Sequence, residues 1–191
     1  MSIFNKLALC AALAAGLAAP AAHADVISFA GYTTGDTGLS SLTIGIGTFS
    51  ITGGTVFAYA PGAFGAFTTS GGLCALSSGS CQTDWSLAFS SAVTNFAFEA
   101  DFYNDFDSVV VTAFNGAAMV GSVAVGANGS YSFGGATITS LTFNDSSSGA
   151  GFGFGDFSFD LAASGVPAPA TLALVGLGLL AVGASRRFRA G

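Results

Sequence analysis

The chain has 191 residues, room for one ordinary domain but not for two. Its four basic residues are Lys6, Arg186, Arg187 and Arg189, its one histidine is His23, and all ten Asp and Glu lie between Asp25 and Asp160. The central body therefore has carboxylates and no side-chain cation, which excludes salt bridges and nucleic acid as a partner, and excludes Ser-His-Asp, Ser-Lys and Cys-His nucleophiles.

Met1 to Ala24 has the three parts of a secretory signal. Lys6 is the positive start, Leu7 to Ala19 is an apolar run, and Ala22-His23-Ala24 is a small-x-small cleavage site. Signal peptidase is expected to cut after Ala24 and leave Asp25 as the first residue. The run is too short for a first transmembrane helix and ends in a good cleavage site. Leu7-Ala8-Leu9-Cys10 hints at a lipoprotein box, but Leu9 is too large for the residue before an acylated cysteine.

After Asp25 the dominant residues are Gly, Ser, Thr, Phe, Ala and Val, a composition of short strands and tight turns. Candidate strands are Val26 to Ala30, Leu39 to Ile46, Thr48 to Thr52 and Thr55 to Tyr59. Cys74 and Cys81 then sit in a Gly-Ser segment. In an exported protein such a pair reads as a disulfide, and two thiolates without histidine make a poor metal site.

Trp85 to Phe89 is a further strand. Asn95 to Phe102 alternates clearly: Phe96, Phe98, Ala100 and Phe102 share one face, with Glu99, Asp101 and Tyr103 on the other. Glu99 and Asp101 would project about 7 Å apart, a spacing that glycoside hydrolysis permits. No cleft-lining aromatic set accompanies them, and a solvated acidic face is the better reading. Asp101, Asn104, Asp105 and Asp107 concentrate hard oxygen ligands suited to Ca²⁺, although they match no EF-hand loop. Asp145 and Asp156 are weaker candidates.

Val109 to Phe114 and Ala117 to Val125 flank Asn115-Gly116, which reads as a type I′ hairpin. Asn128-Gly129 repeats that signal before Tyr131-Ser132-Phe133. Thr137 to Phe143 offers Ile138, Leu141 and Phe143 to the core. In Gly151 to Leu161, Phe152 and Phe154 have one parity and Phe157, Phe159 and Leu161 the other, so Gly155-Asp156 should be a bulge. Short strands at regular spacing, without a helical period, predict an all-β fold. The expected architecture is an antiparallel two-sheet β-sandwich, with a jelly roll as one topology, over residues 25–165.

Residues 166–191 form a separate tail. Val166-Pro167-Ala168-Pro169 breaks local structure, and an apolar run from Leu172 to Ala184 reads as a short helix. At 1.5 Å per residue that helix with its small flanking residues spans roughly 24 Å, short for a bilayer core. Arg186, Arg187 and Arg189 would hold its end on the cytoplasmic side, with the body outside. A Pro-x-Pro motif, a short apolar helix and a terminal arginine cluster behind a signal peptide resemble the PEP-CTERM sorting signal. Ala168 replaces the usual Glu of Pro-Glu-Pro. The resemblance implies recognition by an exosortase, an inner-membrane-tethered precursor, and a final place at the cell surface or in the exopolysaccharide and biofilm matrix. Phe154-Gly-Asp-Phe-Ser-Phe159 also resembles the closing strand of sandwich proteins of that family.

Two function classes follow for the body: a non-enzymatic structural or adhesive matrix protein, and a carbohydrate-binding module assisted by calcium. An exposed row of Tyr or Trp would favour the second, and an outer face of Ser, Thr and Gly the first.

Overall fold

Period-two alternation with glycine-rich turns leaves the chain a single way to bury its phenylalanines, on one side of extended strands. The structure, a computed structural model, describes residues 24–63, 69–101, 108–146 and 151–162. Every regular element in these residues is a strand. In chain order they are β1 (Asp25–Val26), β2 (Gly35–Asp36), β3 (Ser41–Ile44), β4 (Gly47–Ile51), β5 (Thr55–Tyr59), β6 (Gly72–Leu76), β7 (Trp85–Asp101), β8 (Val109–Asn115), β9 (Ala118–Val125), β10 (Gly129–Ser132), β11 (Ile138–Asp145) and β12 (Gly153–Leu161). The fold is all-β and every strand pair is antiparallel, as the alternation requires. The twelve strands form one open hydrogen-bonded sheet. The chain divides after Leu161 into two units, and all described residues except Ala162 belong to the first.

β7 organises the sheet. It is 17 residues long and joins the two strands expected at Trp85–Phe89 and Asn95–Phe102 into one. Along one edge it pairs with β4, from Ile51↔Trp85 to Gly47↔Phe89, and then with β12, from Leu161↔Val93 to Gly153↔Asp101. Along the other it pairs with β11 and then with β10. Between the two halves the pairing slips. From Ser140↔Ala88 to Ile138↔Val93, β7 spends five residues against two of β11. Ser90 and Ser91 in this stretch are exposed, and Asn95 adopts a left-handed φ of 52°. Extra residues on one strand bend it and change which parity faces inward. Buried positions accordingly pass from Trp85 and Leu87, through Val93, to Phe96, Phe98 and Ala100.

The bend lets the aromatic rings of the two halves meet. Phe49 on β4 lies 5.6 Å from Phe157 on β12, and Phe143 on β11 lies 5.0 Å from Phe154 on β12. Trp85 stacks on Phe143 with ring centroids 3.6 Å apart. Phe29, Phe49, Phe96, Phe98, Phe143, Phe152 and Phe157 are fully buried, each worth about 1.5–3 kcal/mol of transfer free energy. Ile138, Leu141 and Phe143 are buried as the pattern of β11 demands.

Local turn chemistry departs from expectation in two places. The β8–β9 turn is Gly116-Ala117, closed by the pair Asn115↔Ala118. Only Gly116 has positive φ (60°), the type II′ pattern, one residue later than the Asn-Gly reading placed it. Asn128-Gly129 closes no hairpin, because β10 leaves β9 and pairs with β7. β1 is shorter than its candidate segment, and β6 lies where the sequence suggested a Gly-Ser loop. The expected bulge in β12 is present: its register shifts between Gly155 and Ser158, and Asp156 has a φ of 44°. Phe152, Phe154, Phe157 and Phe159 are thereby all buried, while Leu161 at the strand end is exposed.

Candidate functional site

Successive strands place their outward side chains in register, so a chemical type repeated on several strands becomes a line across the sheet. Hydroxyls do this here. Ser41 pairs with Ser50, Ser50 with Ser86, Ser86 with Thr142, Thr142 with Thr112, and Thr112 with Ser122. The row crosses β3, β4, β7, β11, β8 and β9. At the usual strand spacing it spans about 24 Å. Each member is exposed or half-buried, while its chain neighbours Leu42, Phe49, Leu87, Leu141, Phe143, Val111 and Ala113 are buried. Ser41 and Ser50, and Thr112 and Ser122, are linked through their hydroxyls at 3.5 Å. In the next row the Thr43 and Thr48 hydroxyls lie 3.0 Å apart, with Ala88 and Ser140 continuing the line. Such a surface can exchange hydrogen bonds with water or with another hydroxyl-rich polymer, and carries no charge to select an ion.

Among the described residues the tryptophan and the tyrosines are at least half-buried. Trp85 and Tyr59 are buried, and Tyr32 and Tyr131 are half-buried, the latter stacked on Phe98 at 5.5 Å. Tyr103 lies outside the described residues.

Cys74, fully buried on β6, is disulfide-bonded to Cys81, with Cα atoms 5.4 Å apart. A tight turn between them has Ser77 and Ser80 exchanging backbone hydrogen bonds at 2.8 and 3.0 Å. The Tyr59 hydroxyl lies 3.6 Å from the Cys81 sulfur. Its burial pushes the phenol up to about 12.

Five carboxylates are engaged with protein donors. Asp156 Oδ1 accepts from the Ser70 backbone N–H at 2.7 Å and from its hydroxyl at 2.6 Å. Asp84 Oδ1 accepts the Asp145 N–H at 2.9 Å. Asp160 accepts from Asn95 Nδ2 at 2.6 Å. Glu99 is exposed and accepts from the Ser130 hydroxyl at 3.2 Å. Asp36 accepts the Gly38 N–H at 2.9 Å, and this bond, with help from Thr55, holds its carboxyl below the usual range. Of the four residues suggested for Ca²⁺, Asp101 is half-buried at the end of β7, and Asn104, Asp105 and Asp107 lie outside the described residues. Among the described residues no three His, Cys, Asp or Glu converge as metal ligands.

Ala24 and Asp25 are exposed at the start of β1, and Ala22 lies outside the described residues. So do Val166, Pro167, Ala168, Pro169, Arg186, Arg187 and Arg189.

Residues 165–187 match the family model of the PEP-CTERM protein-sorting motif. The match spans Val166 to Arg187 of the motif read from the sequence and stops short of Arg189. The chain thus carries a PEP-CTERM sorting signal, which implies export, a membrane-anchored precursor stage and sorting through exosortase. No curated protein and no solved structure matches the chain.

Proposed function

We propose that this chain is a cell-surface or extracellular-matrix protein, associated with exopolysaccharide, whose body has a structural or adhesive role and no catalytic one. The observation that carries the reading is the hydroxyl row from Ser41 to Ser122, on an outer face that also presents Ala88, Val110 and Asn144. A face of this kind offers many weak, repeated hydrogen bonds, as contact with a hydrated polymer requires, and none of the convergent polar groups of a small-molecule site. Among the described residues, burial of Trp85 and Tyr59 takes these two aromatics out of reach as platforms on which a carbohydrate-binding module stacks sugars. The sorting tail supports this reading, because it implies export through exosortase.

The test is fractionation of a host that contains the exosortase. Full-length protein should be recovered with the envelope and extracellular matrix. Deleting Leu172 to Gly191 should move a folded body into periplasm or medium. Cytoplasmic recovery of both forms would overturn the reading. Saturable binding of a defined oligosaccharide, abolished by calcium chelation, would select the carbohydrate-binding module instead.

A further inference from the structure

The sheet ends at β9, whose one strand partner among the described residues is β8. An edge strand leaves a line of peptide N–H and C=O groups without partners, ready to template another strand. Most edges here are short: β3 and β10 have four residues each, and β1 and β2 have two. β9 has eight, Ala-Met-Val-Gly-Ser-Val-Ala-Val, with no Pro and no charge. Met119 is 66% exposed and Val120 is 38% exposed. Lysine and proline, the usual guards of an edge, are both missing from it. A bulge falls at Val120, where the pairing steps from Phe114↔Met119 to Ala113↔Gly121, and it leaves Gly121 to Val125 as regular strand.

We propose that β9 pairs antiparallel with β9 of a second copy of this chain, across a two-fold axis near Val123, so that the sheet continues from one copy into the next. Charge fixes where two copies can meet. The body carries acidic groups and no side-chain cation, so two copies repel one another wherever their carboxylates approach. From Ser108 to Asn144 there is no charged residue, and the β8–β9 edge lies inside that run. A like copy therefore meets no carboxylate on the strand it joins, and a two-fold axis makes the strand its own complement. With the axis at Val123, Ser122 of one copy stands opposite Ala124 of the other. The inference deepens the structural reading of the body and rests on it.

The experiment is sedimentation velocity of the full chain in mild detergent over a range of concentrations. The wild type should dimerise, more tightly at higher salt, because screening weakens repulsion between the acidic bodies. The double variant S122K/A124K places like charges opposite one another and should weaken the dimer by at least about tenfold. S122E/A124E should do the same, and mixing the two variants should restore association. Emission from buried Trp85 reports whether each variant is folded. A wild type that stays monomeric, or a dimer untouched by S122K/A124K, would overturn the proposal; association driven by the apolar tail gives the second result. Matrix fractionation is read separately, so a monomer that still partitions with the matrix defeats the pairing and leaves the structural role standing.

Discussion

Tyr59 shows how far one side chain's behaviour depends on partners remote in sequence. Its phenol has an ordinary value of 10.0 and is raised to about 12 by burial beside the Cys74–Cys81 disulfide. The folded state favours the neutral phenol. The stability this contributes is fully present below about pH 10 and is lost as pH rises from there through about 12. We predict a denaturation midpoint that falls across this range in the wild type, with a shallower fall in Tyr59→Phe. Identical base sensitivity in the two proteins would refute the assignment. At this scale the sequence shows residue types well and partners poorly. The disulfide pair could be read from two cysteines seven residues apart, because a short loop in an exported chain leaves few alternatives. The Asp156 backbone could be read as part of a bulge, but its carboxylate only as a weak metal candidate. Its donor, Ser70, lies 86 residues away, and nothing local announces it.

β12 carries the corresponding argument for elements. Its parity switch was legible, because two pairs of phenylalanines on opposite parities cannot both be buried without an extra residue. The cause of that residue's conformation was not. Asp156 occupies the left-handed region, which Asp and Asn tolerate better than most residues, and its carboxylate clamps the loop at Ser70. Asp156→Ala should lower stability by about 2 kcal/mol or more, since it strands the donors of a buried serine. Asp156→Asn keeps an acceptor and the backbone preference, and should cost less. Chemical denaturation of both variants measures the order, and an Ala variant as stable as the wild type would remove the clamp from the account. Other elements were hidden for stated reasons. β6 has no alternation, because Gly72, Leu73, Cys74 and Ala75 are all buried. β7 looked like two strands because its bend breaks the period. The hydroxyl row is not legible in the sequence, although Ser and Thr recur at period two in β3 and β4. A row is a property of register between strands, and register is set by turns and bulges that the sequence marks only faintly.

For the whole molecule, composition was enough to point to strands in the body and to exclude cations from its chemistry, and the tail was readable because its three parts follow one another in sequence. The joining of all strands through β7 was not readable, since it depends on four partners drawn from positions between Gly47 and Leu161. That shared strand has a consequence for how the protein survives once exported. Two halves with a common strand cannot melt independently: opening either one strips pairing from β7 and exposes rings held by the other. The body should therefore unfold in a single transition, with Trp85 emission and far-ultraviolet circular dichroism giving the same midpoint, and two separated midpoints would contradict this. Proteases attack backbone that has opened, and here internal strands open only when everything does. The lifetime of the body among proteases is then set by its global unfolding free energy, while cleavage without unfolding is confined to loops between its strands.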